Sequence, residues 1–364
     1  MLVPHHAHPP RGLIVDSVHL RAFRSWRKLD LRLEPGLVLV VGPNGAGKTN
    51  LLEALHVATQ GFSPRARSDA LLVRFGAEAA RVLVRGHDGR APFESEVTLR
   101  RCAPRTARLN GASLPSSAAL RHGLRTLVFT PDRLAIVKGS PAIRRAFLDR
   151  VVERLYPARA EAVAEYAHAL TQRNAALRRV AAGVSDEAAL RPWTERLASA
   201  GRELVAARRA AVAALERPFA ECACRLGLSD ATIDYRGDPV AVEELDERLR
   251  TDLERGATGL GPHLHDLSIA SGDRELRAFG SQGEQRMAVL ALVLAEARVL
   301  TTREEGPPLL LLDDVLSELD DDRRSALVEL LAGLGQTIAT ATARSLLPAS
   351  PAQTVVVDAE GHVR

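Results

Sequence analysis

Long apolar runs are missing from these 364 residues: none reaches the roughly 18 side chains that a membrane-spanning helix needs. The start, with His5, His6, His8, Pro9 and Pro10, lacks the apolar centre of an export signal. Residues 1–12 therefore read as a disordered tail, and the chain as cytoplasmic with no membrane partner. Cysteine is scarce: Cys102, Cys222 and Cys224 are too few for a disulfide framework, and Cys222 with Cys224 has no second ligand pair at zinc-site spacing. All three are expected to be buried small apolar residues. Lysine stands only at positions 28, 48 and 138, with arginine taking the other basic places, so a lysine inside a glycine-rich loop marks that loop. What is present suffices for a sizeable core, since 46% of the residues are hydrophobic, in two domains or one elaborated domain.

The apolar stretch 37–41 leads into Gly42, Pro43, Asn44, Gly45, Ala46, Gly47, Lys48, Thr49 and Asn50, and then into the helical pattern of Leu51, Leu52, Ala54 and Leu55. Strand, G-x-x-x-x-G-K-T and helix in that order are the context of a phosphate-binding P-loop. A polyphosphate needs several inward N–H donors on a tight curve, which glycine reaches cheaply. The helix starting near Lys48 points its positive end at the phosphates, Lys48 adds charge toward the β- and γ-phosphates, and the Thr49 hydroxyl is a candidate Mg²⁺ ligand.

Before the loop, residues 13–18 and 27–33 read as strands, the second alternating as an edge strand does and the stretch 37–41 apolar throughout as a central strand is. Between the first two, Arg21, Arg24 and Trp26 are candidates for touching an adenine or DNA, with simple packing of Phe23 and Trp26 the alternative. Residues 61–150 hold 17 Arg and Lys against 7 Asp and Glu, a net +10 that leaves the rest at −6. Such a segment favours a polyanion such as nucleic acid, with Arg65, Arg67, Arg144 and Arg145 as the candidates to meet it, although an ordinary solvated arginine face has the same composition. Within the segment 80–85, 93–100 and 107–109 look like strands, and Asn110 with Gly111 signals a hairpin. From 141 to 226 the pattern is helical, a pair of helices broken near 182–185 and at Arg191 and Pro192, too short and too irregular for a long coiled coil. A short strand over 226–235 and a helix over 242–255 follow, and 256–261 is a glycine-rich joint. The remainder looks like α/β sheet again.

An apolar strand, 309–312, ends in Asp313 and Asp314. In P-loop folds such a strand lies parallel to the loop's own, which brings Asp313 to the Mg²⁺ shell and makes Asp314 the candidate base or water-positioner. Ser281, Gln282 and Gly283, with Glu284, Gln285 and Arg286, precede a second apolar helix and offer a hydroxyl and free helix N–H groups, which is an anion site. One chain has one γ-phosphate at its own P-loop. Two anion-binding loops therefore suggest that the second closes over a partner's nucleotide in a head-to-tail pair.

At these residues a resemblance enters. The P-loop 42–50, Gly280 to Arg286, and 311–319 resemble the ABC-type ATPase heads of the SMC/Rad50 group. Three further pieces, 128–131 with 137–141, Arg144 to Asp149, and Gly261, Pro262 and His263, resemble more narrowly the RecF family of bacterial recombination mediators, over nearly the whole chain. The resemblance implies an α/β fold: an ABC-type, Rad50-head-like P-loop ATPase with an inserted, mainly helical second lobe. It divides the chain into an ATPase lobe, 13–125 and 256–364, and a helical lobe, 126–255. Gly280 to Arg286 becomes the signature motif, Asp313 the Walker B aspartate and 317–320 the D-loop. Lys48, Asp313 and Asp314 are then the catalytic set, and residues 42–50 with Ser281, Gln282 and Gly283 the nucleotide contacts. Thr49 and Asp313 are the metal ligands, with ATP and Mg²⁺ as cofactors. The implied function is an ATP-dependent homodimer with weak ATPase activity used as a dimerisation switch. It would act on gapped, single- and double-stranded DNA with a RecR-type mediator, upstream of RecA loading.

The chain departs from the family pattern in places. Leu264 and His265 follow Gly261-Pro262-His263 where a basic and an acidic residue are usual, no glutamine marks a Q-loop beyond 129–132, and Thr340 and Thr342 stand where a histidine is common. These departures argue for slow hydrolysis. Two other classes compete: an ABC-type subunit of another nucleic-acid or transport machine, which would want a conventional Q-loop, and a small-molecule P-loop kinase, in which 280–286 would have no purpose.

Overall fold

The computed structural model describes residues 12–89, 91–303, 306–358 and 362–363. Of the expected tail, residues 1–11 lie outside the described residues, and Gly12 is buried. In chain order the strands are β1 Ile14–Phe23, β2 Trp26–Arg32, β3 Leu37–Val41, β4 Ala79–His87, β5 Pro92–Arg100, β6 Thr106–Leu109 and β7 Ala112–Ser113. They continue as β8 Thr126–Phe129, β9 Ala231–Arg236, β10 Asp266–Ser271, β11 Arg274–Glu275, β12 Leu309–Leu312, β13 Thr337–Ala341 and β14 Gln353–Val356.

Two compact units divide the chain. The first runs to Arg133 and adds Cys222–Gly227 and the part from Val289 onward; the second is Leu134–Glu221 with Leu228–Ala288. In the first, a parallel sheet is ordered β14-β3-β13-β12-β8, and an antiparallel sheet is ordered β2-β1-β4-β5-β6-β7. The apolar sequence of β3 suits an inner strand of a parallel sheet, covered on both faces, and the alternating β2 ends up at the edge of the antiparallel sheet. Asn110 and Gly111, at φ 52 and φ 80, make the turn that pairs Leu109 with Ala112. Helix Lys48–Gln60 is buried at every position but Thr49 and Asn50. Its Leu51, Leu52 and Leu55 join Val38 and Val40 of one sheet and Val18, Leu20, Val82 and Val84 of the other in one core. A helix buried nearly all round is held by such packing, with each buried leucine contributing about 1.5–3 kcal/mol.

The second unit has the small antiparallel sheet β11-β10-β9 and helices Pro141–Leu155, Glu161–Ala181 and most of Arg191–Arg225. Three helices stand where the sequence reading expects a pair, because Tyr156 and Pro157 interrupt the pattern. Pro192 does not break a helix; it sits in the first turn of Arg191–Arg225, where its missing N–H has no helical partner to lose. The helix expected over 242–255 is two short ones, Val242–Glu247 and Leu249–Arg255.

Two expected lobe boundaries move. Residues 126–133 belong with the first unit rather than with the expected helical lobe, because β8 pairs in parallel with β12 from Thr126 opposite Leu309 to Phe129 opposite Leu312. Residues 256–288 belong with the helical lobe, because β10 pairs with β9 along its whole length. Among the cysteines only Cys222 is buried; Cys102 and Cys224 are exposed. Cys102 follows the end of β5 in a turn, and Cys224 lies on the open side of the last turn of its helix.

Candidate active site

β3 delivers the loop 42–47 directly to helix Lys48–Gln60. Gly47, the helix N-cap, has φ 103, and a Cβ there would stand 2.8 Å from Ser25 Oγ and 3.1 Å from the Trp26 ring, so both conformation and space demand glycine. Trp26 Nε1 donates to Gly47 O at 3.3 Å, and Asn50 Nδ2 donates to Ser25 Oγ at 2.9 Å, so the β1–β2 turn braces the loop. Pro43, Asn44 and Gly45 are exposed along the loop's rim, whereas Gly42, Ala46 and Gly47 are buried. Lys48 Nζ donates to Gly42 O at 2.6 Å and Pro43 O at 2.9 Å, which holds the ammonium inside the curve. Burial lowers its pKa, and the charges of Asp314 and Asp313 oppose that shift.

The carboxylates arrive from β12. Asp313 N–H donates to Phe129 O at 2.9 Å, extending the β12–β8 ladder by one residue. Its Oδ1 accepts from Thr49 Oγ1 at 2.8 Å and from Thr340 Oγ1 at 2.9 Å. Burial pushes the Asp313 carboxyl up, while the hydrogen bonds from Thr49 and Thr340 and the charge of Arg65 pull it down. Asp314 stands at φ 49, in the left-handed region that a residue with a side chain enters only at some cost. Two contacts hold it there: its N–H donates to Thr340 Oγ1 at 2.8 Å, and its Oδ1 accepts from Ser317 Oγ.

These groups fit a magnesium nucleotide. The donors are oxygens only, and among the described residues no group of three or more His, Cys, Asp or Glu could cage a metal. Mg²⁺ suits such a site, because it is commonly held by one or two protein oxygens together with phosphates and water.

Two parts of this site escape the sequence reading. Thr340, which the sequence reading notes only as standing where a histidine is common, is fully buried and joins Asp313 to the backbone of Asp314. Glu53, 2% exposed, accepts from Arg24 Nε and Nη2 at 2.8 Å each and from Ser63 Oγ at 2.5 Å. Its signal is a lone acid inside the apolar run 51–55. Arg24 is thereby tied to the P-loop helix, Phe23 and Trp26 are buried, and Arg21 pairs with Asp30 at 2.9 Å. Replacing Thr340 with Val keeps the shape and leaves a buried carboxylate oxygen and an N–H short of a partner; a stability loss of about 2 kcal/mol is expected. Urea unfolding reads it, and an unchanged midpoint would show that Thr340 does not tie the two aspartates.

The signature candidates stand in the second unit. Ser281 N–H donates to Glu284 Oε2 at 2.7 Å and Ser281 Oγ accepts from Glu284 N–H at 3.2 Å, a capping box at the start of helix Gln282–Thr301. Ser281, Gln282 and Gly283 are exposed, and Gln285 Nε2 fixes the loop from below through Leu276 O at 2.8 Å and Gly280 O at 3.0 Å. The 261–265 loop is locked by Arg208, which donates to Pro262 O at 2.8 Å and to both oxygens of Asp149 at 2.7 and 3.0 Å. His263 Nε2 donates to Thr258 O at 3.1 Å, and burial lowers the ring's pKa, which favours the neutral form in which Nδ1 accepts from Tyr166 Oη at 2.7 Å. His265, its pKa lowered to about 4 chiefly by burial, pairs with Tyr235 Oη at 2.8 Å, and Leu264 is exposed.

Of the four candidate DNA arginines, Arg65 and Arg67 are exposed and Arg145 is half-buried, donating to His265 O at 2.8 Å. Arg144 is a correction. It is 2% exposed, grips Asp266 with bonds of 2.6 and 2.7 Å, and donates to Gly139 O at 2.8 Å. A planar guanidinium committed to a bidentate carboxylate inside the fold has no face left for a phosphate.

Residues 14–362 match the profile of the RecF/RecN/SMC N-terminal domain. The DNA replication and repair protein RecF of Frankia alni is 40% identical over an alignment 368 positions long, covering 94% of this chain and 96% of that one. The solved structure of the recombination mediator protein RecF-ATP in the RecFOR pathway is similar at 26% identity and TM-score 0.86, over 99% of each chain. An Smc head domain from Pyrococcus furiosus shares the fold at 18% identity and TM-score 0.60, over 97% of this chain and 95% of that one.

Proposed function

The chain belongs to the RecF/RecN/SMC N-terminal domain family, and within it to the RecF proteins of DNA replication and repair, and on that premise we propose that it is a slow ATPase whose nucleotide state controls pairing with a second copy on DNA. The observation that supports this reading best is the junction of Thr49, Asp313 and Thr340 around one carboxylate oxygen, with Lys48 inside the adjoining loop. In it the N–H groups of 42–50 and the Lys48 ammonium bind the phosphates, and Mg²⁺, held by Thr49 and Asp313, would offset their charge. Asp314 orients the attacking water and takes its proton as the water oxygen bonds to the γ-phosphorus and the bond to the ADP oxygen breaks. Ser281, Gln282 and Gly283 meet the γ-phosphate of a partner's nucleotide. Arg65 and Arg67 contact DNA phosphates, at gaps or single-strand/double-strand junctions, and the protein works in the cytoplasm with a RecR-type mediator upstream of RecA loading.

Asp314→Asn tests the chemical half. A carboxamide still accepts a hydrogen bond from water but takes no proton, so turnover should fall on the order of 100-fold or more while ATP binding and ATP-dependent pairing persist. A phosphate-release assay beside sedimentation velocity reads both; unchanged turnover rejects Asp314 as the base.

A further inference from the structure

Phe75 is 96% exposed, the most open large apolar side chain among the described residues. It stands on a rigid turn. Ala77 N–H donates to Arg74 O at 3.0 Å, and Gly76 takes the left-handed conformation, φ 81, that such a turn requires at its third residue. Both flanks are stitched down: Arg74 N–H donates to Ala22 O and Arg24 N–H to Leu72 O, each at 2.8 Å, while Arg101 Nε donates to Ala77 O at 2.7 Å. The ring is thus held outward on a preorganised base.

The arginines of this region fall into two kinds. Arg81, Arg85 and Arg105 are each neutralised by a carboxylate, from Glu96, Glu94 and Asp69. Arg74 and Arg101, the two beside Phe75, donate only to backbone carbonyls: Arg74 to Ser25 O, and Arg101 to Ala77 O and, at 3.0 Å, to Arg74 O. Among the described residues neither guanidinium has a carboxylate partner, and Glu78 is the acid that follows the turn. A protein partner would want a broader apolar surface, and here only Leu71, four residues earlier and 59% exposed, adds to the single ring. An unpaired base wants what is present, one flat aromatic face flanked by cations for the neighbouring phosphates.

We propose that Phe75 stacks on an unpaired base of single-stranded or gapped DNA, with Arg74 and Arg101 on the flanking phosphates, a contact that adds affinity for unpaired DNA and none for duplex. The inference rests on the DNA-binding reading above. In a duplex the base faces are occupied by their neighbours, so the contact is made only where a strand is unpaired.

Fluorescence anisotropy with ATP present, on a single-stranded oligonucleotide and its blunt duplex, tests it with the wild type, Phe75→Ala, Phe75→Trp and the Arg65→Ala/Arg67→Ala pair. Phe75→Ala should lose roughly ten-fold in single-strand affinity and nothing on duplex or in ATP binding. Phe75→Trp should restore the affinity, and its added indole emission should be quenched by the single strand. Equal loss on both DNAs, or none on either, overturns the stacking role. Wild-type DNA affinity in Phe75→Ala with loss of ATP-dependent pairing assigns the ring to a second copy instead. If the arginine pair still weakens binding while Phe75→Ala does not, the DNA reading stands and only this inference falls; if the wild type binds neither DNA, the reading itself falls.

Discussion

Lys48→Ala should lower ATP affinity on the order of 100-fold, because charge-assisted hydrogen bonds contribute about 1.5–3 kcal/mol each and the ammonium can meet both the β- and γ-phosphates. Lys48 also interacts with the charges of the half-buried Asp314 and the buried Asp313, so its loss leaves them less compensated. The variant needs a fold control, since Gly42 O and Pro43 O lose the donor that the lysine gives them. Pro43 stands on the exposed rim, where water can replace the donor, and the buried Gly42 O costs about 1–3 kcal/mol left unpaired, so the melting transition should stay cooperative. Titration with ATP, beside a thermal melt, separates the two effects. Undiminished affinity in a folded variant would overturn the P-loop assignment, and recovery of affinity in Lys48→Arg would show that charge alone suffices without the compact ammonium.

The parts of this site that were legible in the sequence are those whose function demands a local pattern. An anion cradle must be contiguous, so residues 42–49 announce themselves, and a carboxylate at the end of a buried strand is visible because 309–312 contains nothing else polar. What stayed hidden depends on partners distant in the chain. Thr340 reaches Asp313 across 27 positions, and Arg24 reaches Glu53 across 29; alone, each looks like an ordinary polar residue. Arg144 was miscast for the same reason. A charge tally counts every arginine as facing solvent, and the Asp266 that neutralises this one lies 122 positions away. The lobe boundary at β8 shows the limit for topology: an apolar run of four residues fits helix or strand equally, and only its pairing with β12 decides which sheet it joins.

Ser281→Arg should abolish ATP-driven pairing while each chain still binds ATP nearly as the wild type does, because Lys48 and Thr49 belong to the chain that holds the nucleotide and Ser281 serves the other. Loss of the cap at helix Gln282–Thr301 costs only about 1 kcal/mol, and Ser281 is exposed, so the variant should fold. Mixing it with Lys48→Ala gives the sharper result. In a mixed pair, the intact P-loop of the Ser281→Arg chain faces the intact signature of the Lys48→Ala chain, and the opposite site carries both defects. Part of the ATPase activity should therefore return in the mixture although neither variant has it alone, and only a site built from two chains produces that recovery. Sedimentation velocity with ATP and a phosphate-release assay on the mixture read it directly. A mixture no more active than its components, together with normal pairing of Ser281→Arg, would rule out the head-to-tail arrangement and leave a P-loop that works within one chain.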